Sequence, residues 1–214
     1  CGIMWIGHLY YFNFTQMPTM PNIPAELKPG VSKHIAPAAL YWFRWGAAFT
    51  VFTGLAIAIL AGYAHQAFTL QEPYRLIGIG MWLALIMAFN VWFVIMPRQR
   101  LAIASAEAVA AGGQANPEAA KQAPFAGRAS RTNTLFSIPM LFFMGAARHL
   151  TIVNEEMPKY GAFFAIMLVL VVLFETNIFK GTAATQKPLA TVAGTIHAGL
   201  GLTLVLFVAA SVLL

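Results

Sequence analysis

The sequence predicts an all-α polytopic transmembrane helix bundle, a single membrane domain over residues 1–214, from three observations: scarce charge, apolar segments of membrane-spanning length, and basic residues gathered on one side. Of 214 residues, 59% are hydrophobic and 9% charged, with a mean hydropathy of +0.71. A soluble domain carries about a quarter charged residues to wet its surface. Most of this surface must therefore face something other than water. Seventeen glycines suit helices that approach closely in lipid.

About six spans are expected. Gly2 to Phe14 reads as the second half of a helix, so the first span is expected to be truncated at its N-terminus. The second covers about Pro37 to Gly62, and the third Tyr74 to Met96, where Pro97 is expected to stop it. Thr134 to Leu150, interrupted by Pro139, is a short fourth; Tyr160 to Phe179 and Leu189 to Leu214 complete the set. Four of these meet the roughly 20 apolar residues that a 30 Å hydrocarbon layer requires. The long polar connection, residues 98–133, is expected to hold two short helices. The first ends at Ala111-Gly112-Gly113-Gln114, and the second starts at Asn116-Pro117-Glu118 with proline at its first position.

Charge checks the segment count. With alternating spans, one face collects Lys28, Lys33, Arg44, Arg98, Arg100, Lys121, Arg128, Arg131, Lys180 and Lys187. The other holds Arg75, Arg148 and Lys159. Glu26, Glu107, Glu118 and Glu175 oppose Glu72, Glu155 and Glu156, so the formal charge of +6 falls on the first face alone. The positive-inside rule makes connections 15–36, 97–133 and 180–188 cytoplasmic. Topology thus explains the basic pI, and the expected partners are membrane lipids and no nucleic acid. Cys1 is the single cysteine, which excludes an intramolecular disulfide and any four-thiolate cluster built from this chain alone.

Polar groups at membrane depth cost several kcal/mol unless paired. His8 and His197 lie roughly 9 to 12 Å below the same face, at 1.5 Å rise per residue. Facing inward at one level, they are candidate metal ligands, axial to a b-type haem, or holders of a quinone headgroup. Packing against neighbouring carbonyls, with Gly7 and Gly199 marking close approach, is the alternative. Asn13, Asn90, Glu175 and Asn177 lie in the same half. Arg44, within Trp42-Phe43-Arg44-Trp45, and Glu175 are candidate cofactor-binding residues, expected within pairing distance of each other; snorkelling to the interface is the simpler reading. His34 lies in the first connection, and His65 and His149 near the opposite interface. No HExxH, paired CxxC, P-loop or GxSxG occurs, and Gly78-Ile79-Gly80 lacks a phosphate-loop context.

Longer strings carry a resemblance. Gly2-Ile3-Met4-Trp5-Ile6-Gly7 with Tyr10-Tyr11-Phe12, Leu40-Tyr41-Trp42-Phe43-Arg44-Trp45, Asn90-Val91-Trp92-Phe93-Val94-Ile95-Met96-Pro97-Arg98-Gln99-Arg100, and Asn133-Thr134-Leu135-Phe136-Ser137-Ile138-Pro139-Met140-Leu141-Phe142-Phe143-Met144 occur in this order. Together they resemble the N-terminal membrane domain of the cytochrome-c-linked urate oxidases, a family of bacterial inner-membrane proteins. The resemblance covers segments one to four and is loose beyond them. It implies an inner-membrane location and electron transfer to a cytochrome c. The chain departs from the family pattern in having no CxxCH motif, Tyr41 where the family tends to have histidine, and Gly46 at the following acidic position. A residue near Gly78 stands for another family histidine, and a central pair of helices is missing. His149 is the histidine the resemblance carries over, and His8 is not a family match. The first helix is also similar in pattern to small haem-associated membrane proteins of the protoporphyrinogen-oxidase type.

Two functions follow as expectations. One is a redox-associated membrane protein binding haem b or quinone and passing electrons to a cytochrome partner. The other is a cofactor-free accessory or structural subunit of a larger respiratory or photosynthetic membrane complex. A transporter is disfavoured, because no repeated half is visible. Whether the chain is an enzyme is left open.

Overall fold

A computed structural model describes residues 1–150, 152 and 157–214, with the Pro29 side chain excepted. Glu155 and Glu156, counted above on the acidic side, lie outside the described residues. Among the described residues there is no strand. The helices are α1 (Gly2–Tyr10), α2 (Ala36–Leu60), α3 (Ala64–Phe68), α4 (Arg75–Phe89), α5 (Met96–Ala110), α6 (Pro117–His149), α7 (Tyr160–Lys180), α8 (Ala183–Ala190) and α9 (Val192–Leu213), besides single turns. Wide π-helical turns follow α1 (Tyr11–Gln16), precede α2 (Val31–Ile35) and join α4 to α5 (Asn90–Ile95).

Among the described residues four helices, not six, are long and apolar enough to cross a membrane: Val31–Leu60, Arg75–Ala110, Tyr160–Lys180 and Val192–Leu213. Their outward side chains include Phe52, Leu60, Leu168, Val169, Leu173 and Leu204, an apolar surface consistent with a multi-pass membrane protein. The two missing spans have a physical cause. His8, Asn13 and Gln16 reduce the apolarity of the first helix, and Ser130 to Thr134 place five polar residues in the middle of α6.

Three helix boundaries also differ from expectation. Pro97 does not stop the third segment, because the chain continues through a π turn into α5. A proline lacks the N–H for the i−4 carbonyl and its ring crowds that turn, and a π turn relieves both by widening the helix just before it. The connection's second helix does start at Pro117, with Asn116 Oδ1 accepting from the Glu118 amide at 2.9 Å, but it runs unbroken into the fourth segment as far as His149. The sixth is split at Thr191, which is extended (φ −124°, ψ 157°) and caps α9 by accepting from the Gly194 amide. The connection's first helix does end in a turn at Gly112, whose φ of +84° suits glycine.

The chain divides into two compact units, Cys1–Thr50 with Ala88–Asn133, and Val51–Met87 with Thr134–Leu214. In the first, Trp5, Leu9 and Phe12 form the buried stripe of the opening helix at i, i+4, i+7 spacing. Phe12 meets Phe43 edge-on with centroids 5.9 Å apart. Gly46 lets the two helices touch, since a Cβ there would lie 2.9 Å from the Trp5 amide nitrogen. The second unit packs Ile79, Leu83, Phe136, Phe143, Phe163 and Leu206. Here Gly80 lies against Met140 and Met144 of α6, and Gly199 against Leu135 and Ile138. Pro139 cannot donate to the Leu135 carbonyl, so Gly199 of α9 sits where α6 has lost a hydrogen bond.

Candidate functional site

The first unit carries an open groove of about 690 Å³ lined by Met4, His8, Tyr11, His34 and Trp42 among others. His8 is half-buried on α1, and its Nδ1 donates to the Met4 carbonyl at 2.7 Å. A carbonyl only accepts, so Nδ1 carries a proton, and in the neutral imidazole Nε2 is the acceptor. A second groove, of about 400 Å³, shares Met4 and Trp42 and adds Tyr41, Trp45 and Phe49. Between the strings of α2, the Arg44 guanidinium lies 5.4 Å from the Tyr41 ring centroid and 5.9 Å from Trp45. Its buried Nε has no hydrogen-bond partner among the described residues.

Below this surface the unit has a polar interior. Asn13, Asn90, Ser130, Arg131, Thr132 and Asn133 are all buried. Asn13 Nδ2 donates to the Leu9 carbonyl at 2.9 Å and to Ser130 Oγ at 2.8 Å. Asn90 Nδ2 donates to Asn133 Oδ1 at 3.0 Å, joining the π turn after α4 to α6. Nine consecutive residues of α6, 129 to 137, are buried, so the helix is enclosed all round over more than two turns. Arg131 Nε and Nη1, Thr132 Oγ1, Asn13 Oδ1 and Gln16 Oε1 find no partner among the described residues. Burial lowers the Arg131 pKa from the ordinary arginine value.

The expected site residues fall apart by unit. His8 and Arg44 belong to the first, His197 and Glu175 to the second. His197 is exposed on α9, so its imidazole does not face the interior as the sequence suggested, and Glu175 is half-buried on α7. His65 and His149 are exposed. His34, a secondary candidate, is the histidine that shares the groove with His8. No group of three or more His, Cys, Asp or Glu suited to a metal occurs among the described residues. Sequence reasoning passed over Arg131 as one more cytoplasmic charge. Its signal was the polar run Ser130 to Thr134 opening straight into an apolar segment.

In the second unit Asn177 ties α7 to α8: its Nδ2 donates to the Thr185 carbonyl at 3.1 Å and its Oδ1 accepts from Thr185 Oγ1 at 2.6 Å. Arg75, buried at the start of α4, donates to Glu72 and to the carbonyls of Ile152 and Leu214.

A family model described as urate oxidase N-terminal matches residues 57–209, more than half of the chain. No curated protein and no solved structure matches it. The matched span includes the strings from Asn90 and Asn133 and runs through α7 into α9, further than the sequence reading carried the likeness. The strings at Gly2 and Leu40 lie before it, with His8, His34 and Arg44.

Proposed function

We propose that this chain, which belongs to the urate oxidase N-terminal family, is a membrane-embedded redox module that holds a quinone against His8 and passes electrons to a cytochrome partner. The groove beside His8 carries this reading. Its volume of about 690 Å³ lies within the roughly 300–1,000 Å³ typical of small-molecule sites. Its walls are mostly apolar, the aromatic rings of Tyr11 and Trp42 are among them, and His8 Nε2 would accept from a ring hydroxyl. These residues fit a quinone better than haem b, which in the expected arrangement takes two axial imidazoles. The second of those, His197, is exposed. A bound quinone supplies reversible electron storage. The chain supplies an oriented imidazole, a dry wall and, at Arg44, a cation held over Tyr41 and Trp45. The family's description points to urate as the electron donor, and the basic residues between 97 and 133 support a cytoplasmic side for that connection, in a membrane we take to be a bacterial inner membrane.

Organic extraction of the purified protein, followed by chromatography, tests the reading. Quinone is expected near one per chain in the parent, falling at least tenfold in His8→Ala with helical content unchanged. A Soret band surviving detergent exchange would assign haem instead. If neither cofactor is present, the accessory-subunit reading takes its place.

A further inference from the structure

Arg131 poses a charge problem that the groove does not solve. The residue is 7% exposed, and its Nε and Nη1 have no partner among the described residues. An arginine cannot escape burial by losing its proton near neutral pH. Two guanidinium nitrogens held away from water need acceptors or a nearby counter-charge. The sequence contains no aspartate, and the first unit's three glutamates, Glu26, Glu107 and Glu118, are all exposed. Glu118 is engaged with Gln122 and Lys121. No carboxylate of this unit is therefore buried with Arg131.

The surroundings say what kind of charge is missing. Gly127, Ser130 and Arg131 lie on one stripe of α6 at i, i+3, i+4 spacing. Ser130 accepts from Asn13, and a Cβ on Gly127 would meet Met17 at 3.6 Å. That stripe thus faces the opening helix and its π turn. On that helix Asn13 Oδ1 and Gln16 Oε1 are buried acceptors with no donor, and Thr132 Oγ1 on α6 is unpartnered as well. Donors without acceptors on Arg131, and acceptors without donors at Asn13 and Gln16, are matched by one species that carries both.

We propose that Arg131, with Asn13 and Gln16, forms an internal site for a small protonated oxyanion of the hydrogencarbonate or dihydrogenphosphate kind. The oxyanion's oxygens accept from Arg131 Nε and Nη1, and its hydroxyl donates to a side-chain amide oxygen. The site lies in the polar interior and is independent of quinone in the groove.

The test is thermal unfolding of the whole chain in neutral detergent and a buffer free of small anions, titrated separately with hydrogencarbonate, phosphate and formate. Hydrogencarbonate or phosphate is expected to raise the midpoint saturably, with formate, which has no hydroxyl, at least several-fold weaker. Arg131→Gln is expected to abolish the rise or raise the half-effect concentration at least tenfold. Arg128→Gln, which removes a cation stacked on Phe125, is expected to leave the rise intact. Should Arg131→Gln fail to fold, Arg131→Lys keeps the charge and is expected to raise the half-effect concentration several-fold. No saturable response in the parent, an equal response in the Arg131 variants, or a response to phosphatidylglycerol but to no small anion would each overturn the proposal. The first of these outcomes would leave water as the filling.

Discussion

Each unit buries one arginine, and the two are treated in opposite ways. Arg75 in the second unit is 4% exposed, and its guanidinium is occupied by Glu72 and the carbonyls of Ile152 and Leu214. Arg131 in the first is as deeply buried and has two nitrogens without acceptors. The contrast extends to the whole interior. The second unit's buried hydroxyls bond to its own carbonyls, Ser137 to Thr134 and Thr195 to Thr191. All three π turns belong to the first unit, as do the unpartnered atoms of Trp5, Asn13, Gln16, Arg44, Arg131 and Thr132; in the second, only Gln66 is so placed among the described residues. A buried polar group left unsatisfied costs about 1–3 kcal/mol, and π turns occur often at functional sites. The second unit is therefore read as scaffold and the first as the part that binds.

The largest effect should separate the two arginines. Arg75→Met strands two buried carbonyls and is expected to cost about 3 kcal/mol. That is a fall of roughly 8 °C in the unfolding midpoint for a chain of this size. Arg131→Met, in buffer without small anions, is expected to be neutral or stabilising, because it removes an uncompensated charge. Equal losses from both would erase the distinction.

Next in size is Gly199→Ala. The added Cβ would lie 2.5 Å from Ile138 Cδ1 and 2.9 Å from the Leu135 carbonyl oxygen, and overpacking of this kind costs about 1–3 kcal/mol. Gly54→Ala, with nothing within 4 Å, should be neutral or raise the midpoint through helix propensity. Midpoints of the two variants against the parent decide it.

A smaller effect tests the scaffold's edge. Thr182 and Thr185 form a reciprocal cap on α8, and Thr185 also bonds Asn177. Thr185→Val removes the hydroxyl's half of the cap and its bond to Asn177 and should cost about 1 kcal/mol. Hydrogen exchange should then quicken in α8 before it does in α7.

How much of this was legible follows the same division. Composition and apolar length revealed the helices of the second unit because its interior obeys the rule they encode: apolar inside and apolar toward lipid. Helix α7 begins at the residue the sequence indicated. The first unit breaks that rule. A π turn adds a residue without altering hydropathy, so nothing in the Asn90–Ile95 run announced that the helix would pass Pro97. His8 was legible as a polar residue at depth, but His34 became its neighbour only through the fold. The inward orientation expected of His197 rested on depth along the helix, which fixes no face, and the residue is exposed on α9.

The smallest effect joins two of the strings that carry the resemblance. Asn90 and Asn133 are 43 residues apart and both fully buried, and Asn90 Nδ2 donates to Asn133 Oδ1 at 3.0 Å. Both fall within the span matched to the urate oxidase N-terminal family. Either single substitution to alanine mixes a lost hydrogen bond with a cavity and with any bonds these amides make elsewhere, so its magnitude says little about the pair. A double-mutant cycle isolates the pair, provided neither variant creates a new contact. Side-chain hydrogen bonds between membrane helices couple by about 0.6 kcal/mol on average and rarely exceed 1.7, and a value in that range is expected from midpoints of Asn90→Ala, Asn133→Ala and the double variant. Coupling near zero would mean that the amides sit side by side without holding the π turn to α6, and the first unit's polar interior would then be a set of separate residues. Coupling well above the range would mean that other groups join them, and repeating the cycle in an Arg131→Met background would show whether Arg131 is one of these.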